Sequence, residues 1–154
     1  MRLSDFCFHL RGHELKPIVI GGMGVNISTS GMALEAARLG GVGHVSDAML
    51  PAVCDRIFGS RYTALKAKAS RGLALLRDKS AMEISPAVLR DAALRYVQPM
   101  MEAKKGAGLI FANCMEKLTM NNSAATLKAR LDGLLDAGID GITLSAGLHL
   151  SSLS

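Results

Sequence analysis

Short apolar runs that end in glycine recur along the chain and alternate with stretches of helix-forming residues. The first run, residues 17–20, reads PIVI and breaks directly into Gly21, Gly22, Met23 and Gly24. Such a run is typical of a buried strand. The glycines predict an exit loop that another group approaches closely, because glycine has no Cβ and can take positive φ. That group is either a ligand or another piece of the chain.

The same order of strand, cap, helix and glycine repeats along the chain. Hydroxyl residues at 28–30 precede the helical stretch GMALEAARLG, which ends in a glycine pair. A helical region that follows the second strand ends near Gly59, and an Asn-Asn-Ser cap at 121–123 opens the helix before the last strand. The four predicted strands are residues 17–20, 42–46, 107–115 and 140–147.

Residues 62–105 follow this order less closely, and we interpret them as a helical insertion. Ser85 and Pro86 predict a helix start there, since proline is tolerated in a first helical turn. Pro99 is expected to kink or split that helix, because it lacks the N–H that a helix interior uses.

Four apolar strands separated by helices predict an α/β fold with a parallel sheet. The sheet is either open and doubly wound or part of a (β/α)₈ barrel. The segments GGMGVNIS and GGVGHVS both lack the third glycine of GxGxxG, and GxxxxGK[ST] does not occur. The nucleotide-binding open sheet is therefore disfavoured. In a barrel the site lies at the carboxyl ends of the strands, where small and polar residues recur.

The composition predicts a folded, soluble, cytoplasmic protein. Hydrophobic residues make up 49% of the 154 residues, and no apolar stretch approaches the length of about 18 residues that spans a bilayer. Charged residues interrupt the segment where a signal peptide would have its apolar core. Cys7, Cys54 and Cys114 form no CxxC pair, so we expect reduced thiols and no metal site.

The net charge of +5 does not indicate nucleic-acid binding. Lys66, Lys68, Arg71, Arg77 and Lys79 are concentrated in one stretch, but leucines interleave with them and only 4% of residues are aromatic. We interpret this stretch as a solvated helical face.

Four segments together resemble the nitronate monooxygenase family, formerly 2-nitropropane dioxygenases, which are FMN-dependent (β/α)₈ barrels. PIVIGGMGVNIST is similar to the first strand and flavin loop of that family, and AARLGGVGHVS to its second strand. IFANCM and LLDAGIDGITLSAGL are similar to its third and fourth strands. Related flavin barrels, such as the type II enoyl-acyl-carrier-protein reductases, share much of this pattern.

The resemblance implies a cofactor site and a substrate side. Gly22, Met23 and Gly24 match the loop that lies against the flavin ring, and Asn113 matches a third-strand asparagine that hydrogen-bonds the cofactor. Asn113 could equally satisfy backbone groups in a loop. The residues that match the tip of the fourth strand, beside the substrate, are Ser145, Ala146 and Gly147.

The resemblance also implies an activity. The expected function is FMN-dependent oxidation of alkyl nitronates by dioxygen, with a small-molecule substrate and neither nucleic acid nor membrane as a partner. The catalytic histidine and the phosphate loops of the family have no counterpart in the sequence. Residues 1–154 are therefore expected to form the N-terminal half of a barrel, which alone retains FMN weakly and is inactive.

Two alternatives stay open. One is an NAD(P)H-dependent flavin enoyl reductase of the same fold. The other is a non-catalytic half-barrel that associates with itself or pairs with a C-terminal half. His44 is expected to be a packed or loop-facing histidine and not a catalytic one, His149 departs from the family pattern, and His9 and His13 receive no role.

Overall fold

Nine regular elements form the part of the chain that the computed structural model describes, residues 5–64, 84–115 and 122–145. In chain order they are β1 (Phe8–Leu10), β2 (His13–Leu15), α1 (Ser30–Arg38), β3 (Val42–Ser46), α2 (Leu50–Phe58), α3 (Pro86–Ala103), β4 (Leu109–Met115), α4 (Ser123–Asp136) and β5 (Gly141–Ser145). Within this part, no helix is long and apolar enough to cross a membrane.

Strands β3, β4 and β5 form a parallel sheet with β4 in the centre. Val42 lies opposite Leu109, and Phe111 lies opposite Gly141. Helices connect the strands, as parallel strands require. The predicted α/β class and parallel sheet are therefore confirmed.

The segment of residues 17–20, which we call the edge segment, forms a single bridge where a regular strand was predicted. Val19 pairs in parallel with Val42, and two hydrogen bonds of 2.8 Å join Val42 to the carbonyl of Ile18 and the N–H of Ile20. Pro17 has no N–H with which to extend the ladder, and glycines follow Ile20 directly. The prediction of a regular strand at residues 17–20 is therefore wrong, although the segment lies beside β3 where that strand was expected.

Strands β1 and β2 form an antiparallel hairpin that the sequence analysis did not predict. Its two turn residues, Arg11 and Gly12, both have positive φ, as a two-residue type I′ turn requires. Leu15 is fully buried against Val42 and Leu109. The hairpin therefore covers the amino ends of β3 and β4.

Three of the four described helices, α1, α3 and α4, begin at the predicted polar caps, whereas α2 begins after Met49 without a side-chain cap. Thr29 Oγ1 accepts a hydrogen bond from Met32 N–H, Ser85 Oγ accepts from Val88 N–H, and Asn122 Oδ1 accepts from Ala125 N–H. Each cap satisfies a backbone donor that the first helical turn leaves without a partner.

Pro99 was predicted to kink or split its helix, and the structure excludes the split, since α3 continues through Pro99. Tyr96, Val97 and Met100 bury the same part of the helix in the core. This packing holds α3 together across the hydrogen bond that the proline removes, because helices in proteins are stabilised mainly by tertiary contacts. The rest of the predicted insertion, residues 65–83, lies outside the described residues.

The main core lies between one face of the parallel sheet and the helices. Val45 of β3 and Ile110, Ala112 and Cys114 of β4 point into it. The helices contribute Ala33 and Ala37 from α1, Val53 and Cys54 from α2, four residues of α3 from Ala92 to Val97, and Leu127 and Leu134 from α4. We call the opposite face of the sheet, which points away from this core, the inner face.

Candidate functional site

The inner face changes from apolar to polar along the strands. At the amino ends it carries Val42 and Leu109, which the hairpin covers. Toward the carboxyl ends, Ser46 lies opposite Asn113, and Asn113 lies opposite Thr143. Side chains paired in register on neighbouring strands share a face. Three polar side chains are therefore brought together at the rim, the carboxyl end of the sheet.

The glycine loop, residues 21–28, is bonded to this rim. The side-chain amide of Asn113 donates a hydrogen bond of 2.8 Å from Nδ2 to the carbonyl oxygen of Gly22. A Cβ on Gly22 would lie 2.3 Å from Cβ of Asn113, so only glycine allows the loop to come this close. The group that the glycines were predicted to admit is, at Gly22, the side chain of Asn113.

Ser28 ties the loop to itself. Its hydroxyl accepts a hydrogen bond from Met23 N–H at 2.8 Å and donates one to the carbonyl of Gly21 at 2.5 Å. From the helical layer, the hydroxyl of Tyr96 donates to Oδ1 of Asn26 at 2.8 Å. The loop is therefore held from within, from the sheet and from α3.

The loop also carries backbone strain. Val25 and Asn26 have φ values of 51° and 60°, and the left-handed region is unfavourable for a β-branched residue such as valine. Met23, Val25 and Ile27 nevertheless expose large apolar side chains. Strained backbone of this kind is concentrated at ligand sites, because the surrounding structure must over-determine it.

The predicted site residues are only partly brought together. Gly22 and Asn113 are in direct contact, and Gly24 lies over the turn between β3 and α2, since a Cβ there would be 3.7 Å from that of Ala48. Met23 uses its N–H within the loop and leaves its side chain half exposed. Their assignment to a cofactor stays a prediction.

On the predicted substrate side, the structure describes Ser145 alone. Its hydroxyl lies 3.5 Å from the carbonyl oxygen of Cys114, at the carboxyl end of β5. Ala146 and Gly147 lie outside the described residues.

Sequence reasoning missed a buried ion pair directly beneath the rim. Asp47, which follows β3, pairs with Arg130 of α4, and both side chains are almost fully buried. Asp47 also accepts a hydrogen bond from Met115 N–H, and Arg130 donates one to the carbonyl of Met115 at 2.9 Å. The pair therefore joins the ends of β3 and β4 to α4. The available signal was an aspartate directly after a buried strand, but the sequence did not indicate its partner.

Burial dominates the electrostatics of this pair and its neighbour. Desolvation raises the pKa of the Asp47 carboxyl, while the charge of Arg130 and the N–H of Met115 oppose the rise. Desolvation and the adjacent Asp47 also raise the pKa of the Cys114 thiol far above its usual range. Cys114 is therefore a protonated core thiol, because reactive cysteines need a lowered pKa.

His44 lies across the middle of the inner face. Its Nε2 is 2.9 Å from Oγ1 of Thr143, two strands away, and its ring meets Phe111 edge to face at a centroid distance of 5.4 Å. Phe111 in turn occupies the space beside Gly141, where a Cβ would lie 2.5 Å from the ring. The prediction of a packed histidine is confirmed.

The second nitrogen of His44 is buried without a hydrogen-bond partner among the described residues. Desolvation lowers the pKa of His44, and the backbone of Ile20 opposes that shift without making a well-formed hydrogen bond. The ring is therefore neutral at pH 7.

Residues 5–64, 84–115 and 122–145 contain no cluster of three or more His, Cys, Asp or Glu residues that could hold a metal ion. Comparison of the chain with protein-family models, with curated proteins and with solved structures found no match.

Proposed function

We propose that this chain supplies the ring-facing side of a flavin site in an FMN-dependent oxidoreductase of the nitronate monooxygenase type. The observation that carries the proposal is the glycine loop, which Asn113 and Ser28 hold over the carboxyl end of a parallel sheet. Ligands of α/β proteins bind at this end of the strands. A half-barrel of four βα units is the architecture that the proposal requires.

The rim offers the two kinds of contact that an isoalloxazine ring needs. Met23 presents a half-exposed apolar side chain that can cover a flat aromatic face. Asn113 has committed its Nδ2 to Gly22, but its Oδ1 makes no hydrogen bond to a described residue and can accept one from a ring N–H. These two residues would hold the ring.

The same region offers no evident anchor for the cofactor phosphate. Arg130, the cation beneath the rim, is already bonded to Asp47 and to the carbonyl of Met115. Phosphate contacts normally contribute charge-assisted hydrogen bonds to the binding of FMN. The fit of the described residues is therefore to the ring and not to the phosphate.

Bound FMN would supply the redox chemistry by which dioxygen oxidises an alkyl nitronate. The contribution of this chain is to orient the ring and to keep the loop rigid through Ser28. Thr143 and Ser145 follow Gly141 on β5, at the side of the rim where the substrate is expected.

A comparison of two flavins tests this proposal. Fluorescence titrations of the 154-residue chain with FMN and with riboflavin should give equally weak dissociation constants. Both flavins carry the isoalloxazine ring, and the proposed contacts are to the ring only. Asn113→Leu should weaken both to the same extent, at least about tenfold, which corresponds to about 1.4 kcal/mol. Gln98→Leu, which removes an exposed amide on α3, is the matched control and should change neither.

Two results would count against the proposal. Absence of saturable binding of either flavin to the folded chain would remove the ring site, and a large preference for FMN would mean that a phosphate site lies here as well. For the enzyme purified from its source, nitronate-dependent oxygen uptake supports the proposed reaction. NAD(P)H-dependent reduction of an enoyl thioester would support the alternative reductase.

A further inference from the structure

Exposed apolar side chains are concentrated in the edge segment, the glycine loop and α1, which follow one another along the chain. Seven of the twelve large apolar residues that are exposed in the described part fall within residues 18–39. They are Ile18, Val19, Met23, Val25, Ile27, Met32 and Leu39. Isolated exposed apolar residues are ordinary, but a contiguous group marks an interaction surface.

Part of this group lines a groove between the edge segment and α1, which we call the edge groove. Ile18, Ile20, Met32, Ala36 and Leu39 provide most of its wall, and its volume is about 360 Å³. Ala36 forms its base, because this residue is buried while Met32 and Leu39 on either side are more than 40% exposed. The groove therefore runs beside the outermost backbone of the sheet.

The backbone of the edge segment carries a hydrogen-bond donor and an acceptor that have no partner among the described residues. In a parallel ladder, alternate residues bond to opposite neighbours. Ile18 and Ile20 use their carbonyl and N–H to bond Val42, so the N–H and carbonyl of Val19 face away from β3. Neither group makes a hydrogen bond within the described residues, and the side chain of Val19 is 57% exposed.

Strand β5 forms the opposite edge of the same sheet among the described residues. Strand β5 pairs with β4 and with no other described strand. Strands β3 and β5 both run parallel to β4, and the edge segment runs parallel to β3 at its bridge. A two-fold axis parallel to the strands would place β5 of one copy beside the edge segment of another, in parallel, at two places at once.

We propose that a second copy of this chain closes the sheet by pairing its β5 with the edge segment and covering the edge groove. The three strands and the edge segment of each copy would give eight in the ring, the number at which side chains just fill a barrel interior. A closed two-fold ring leaves no edge exposed. A partner with a single strand would cover one edge and leave the other open, so the second copy is the better match. The proposal does not depend on flavin binding.

Size-exclusion chromatography with light scattering tests this proposal on the 154-residue chain. At micromolar concentration the mass should be twice the chain mass of 16.2 kDa. Val19→Pro removes the outward N–H without breaking a bond inside the chain, and Met32→Lys places a charge in the edge groove. Each should raise the dimer dissociation constant at least about tenfold, which corresponds to about 1.4 kcal/mol.

Ile57→Lys is the matched control, because Ile57 is an exposed apolar residue on α2, away from both edges. It should leave the dimer intact. A folded wild-type chain that stays monomeric would overturn the proposal, as would variants at Val19 and Met32 that dimerise as well as Ile57→Lys. If a full-length form carries its own second half on this edge, it will run as a monomer and overturn the proposal equally.

Amide hydrogen exchange gives a second readout that does not depend on a variant folding. In the wild-type chain, exchange at Val19 N–H should slow as concentration rises, together with exchange in β5. Exchange of Ile20 N–H, which is bonded within the chain, should be independent of concentration. Fast exchange at Val19 at every concentration would contradict pairing of this edge.

Discussion

A methyl group has no room at Gly22, whereas one at Gly21 meets open space. In Gly22→Ala the new Cβ would lie 2.3 Å from Cβ of Asn113, and nothing lies within 4 Å of a Cβ on Gly21. Gly22→Ala should therefore displace the loop or rotate Asn113 and lose about 1–3 kcal/mol of unfolding free energy. Urea denaturation measures this loss. Gly21→Ala is the control, and equal losses for the two variants would mean that the loop does not rest on Asn113.

His44 should make the stability of the protein depend on pH in mildly acidic solution. Because burial lowers its pKa below the ordinary 6.5, the fold prefers the neutral ring. The stabilisation is fully present above pH 6.5 and is lost as the pH falls from 6.5 through the lowered pKa of the folded state. His44→Gln, which does not titrate and can still bond Thr143, should remove this part of the pH dependence.

Denaturation of both proteins at about pH 7.5 and about pH 5.5 gives the comparison. Carboxyl groups titrate in both proteins, so the difference between the two pH profiles isolates the imidazole. Parallel profiles would show that the ring reaches solvent and protonates freely.

Helix α4 depends on the buried pair of Asp47 and Arg130 for its attachment to the strand ends. Asp47→Asn leaves the guanidinium buried without its counter-charge, and we expect a loss of about 3–5 kcal/mol in unfolding free energy. Asp132→Asn breaks an exposed pair with Lys128 on the same helix and should cost less than about 1 kcal/mol. Comparable losses in urea denaturation would place the first pair in solvent.

The helices show which features of an element can be predicted from its local sequence. Caps at Thr29, Ser85 and Asn122 were predictable because the side-chain oxygen and the N–H that donates to it lie within one turn. The continuity of α3 through Pro99 was not predictable, since it depends on residues of other elements that bury Tyr96 and Val97. Local propensity is overruled where tertiary packing is strong.

The molecule as a whole has a second, smaller core beneath the hairpin. Leu15→Ala should cost about 2–5 kcal/mol of unfolding free energy, because the fully buried side chain leaves a cavity against Val42 and Leu109. Leu135→Ala, at a position that is 61% exposed, is the control and should cost less than about 1 kcal/mol. If the two variants unfold at the same denaturant concentration, the hairpin does not close the inner face.

The sequence by itself determined the α/β class, the position of β3, the capped helices and the glycine loop after the edge segment. These features depend on periodicity and on side chains that act within a few residues, so they can be predicted from local pattern. From the sequence, Gly22 and Asn113 were expected only to lie on the same rim, and not to be in contact. The sequence could not show that the Nδ2 of Asn113 would donate a hydrogen bond to the glycine loop itself.

Only the tertiary structure decided which distant residues meet. The pairing of Asp47 with Arg130, the hydrogen bond between His44 and Thr143 and the burial of the hairpin residue Leu15 against Val42 and Leu109 join residues 27 to 99 positions apart. The same is true of the edge segment, where Pro17 and the lack of a described outer neighbour leave one bridge instead of a strand. Such contacts follow from chain topology, because the sheet brings together positions that no local pattern relates.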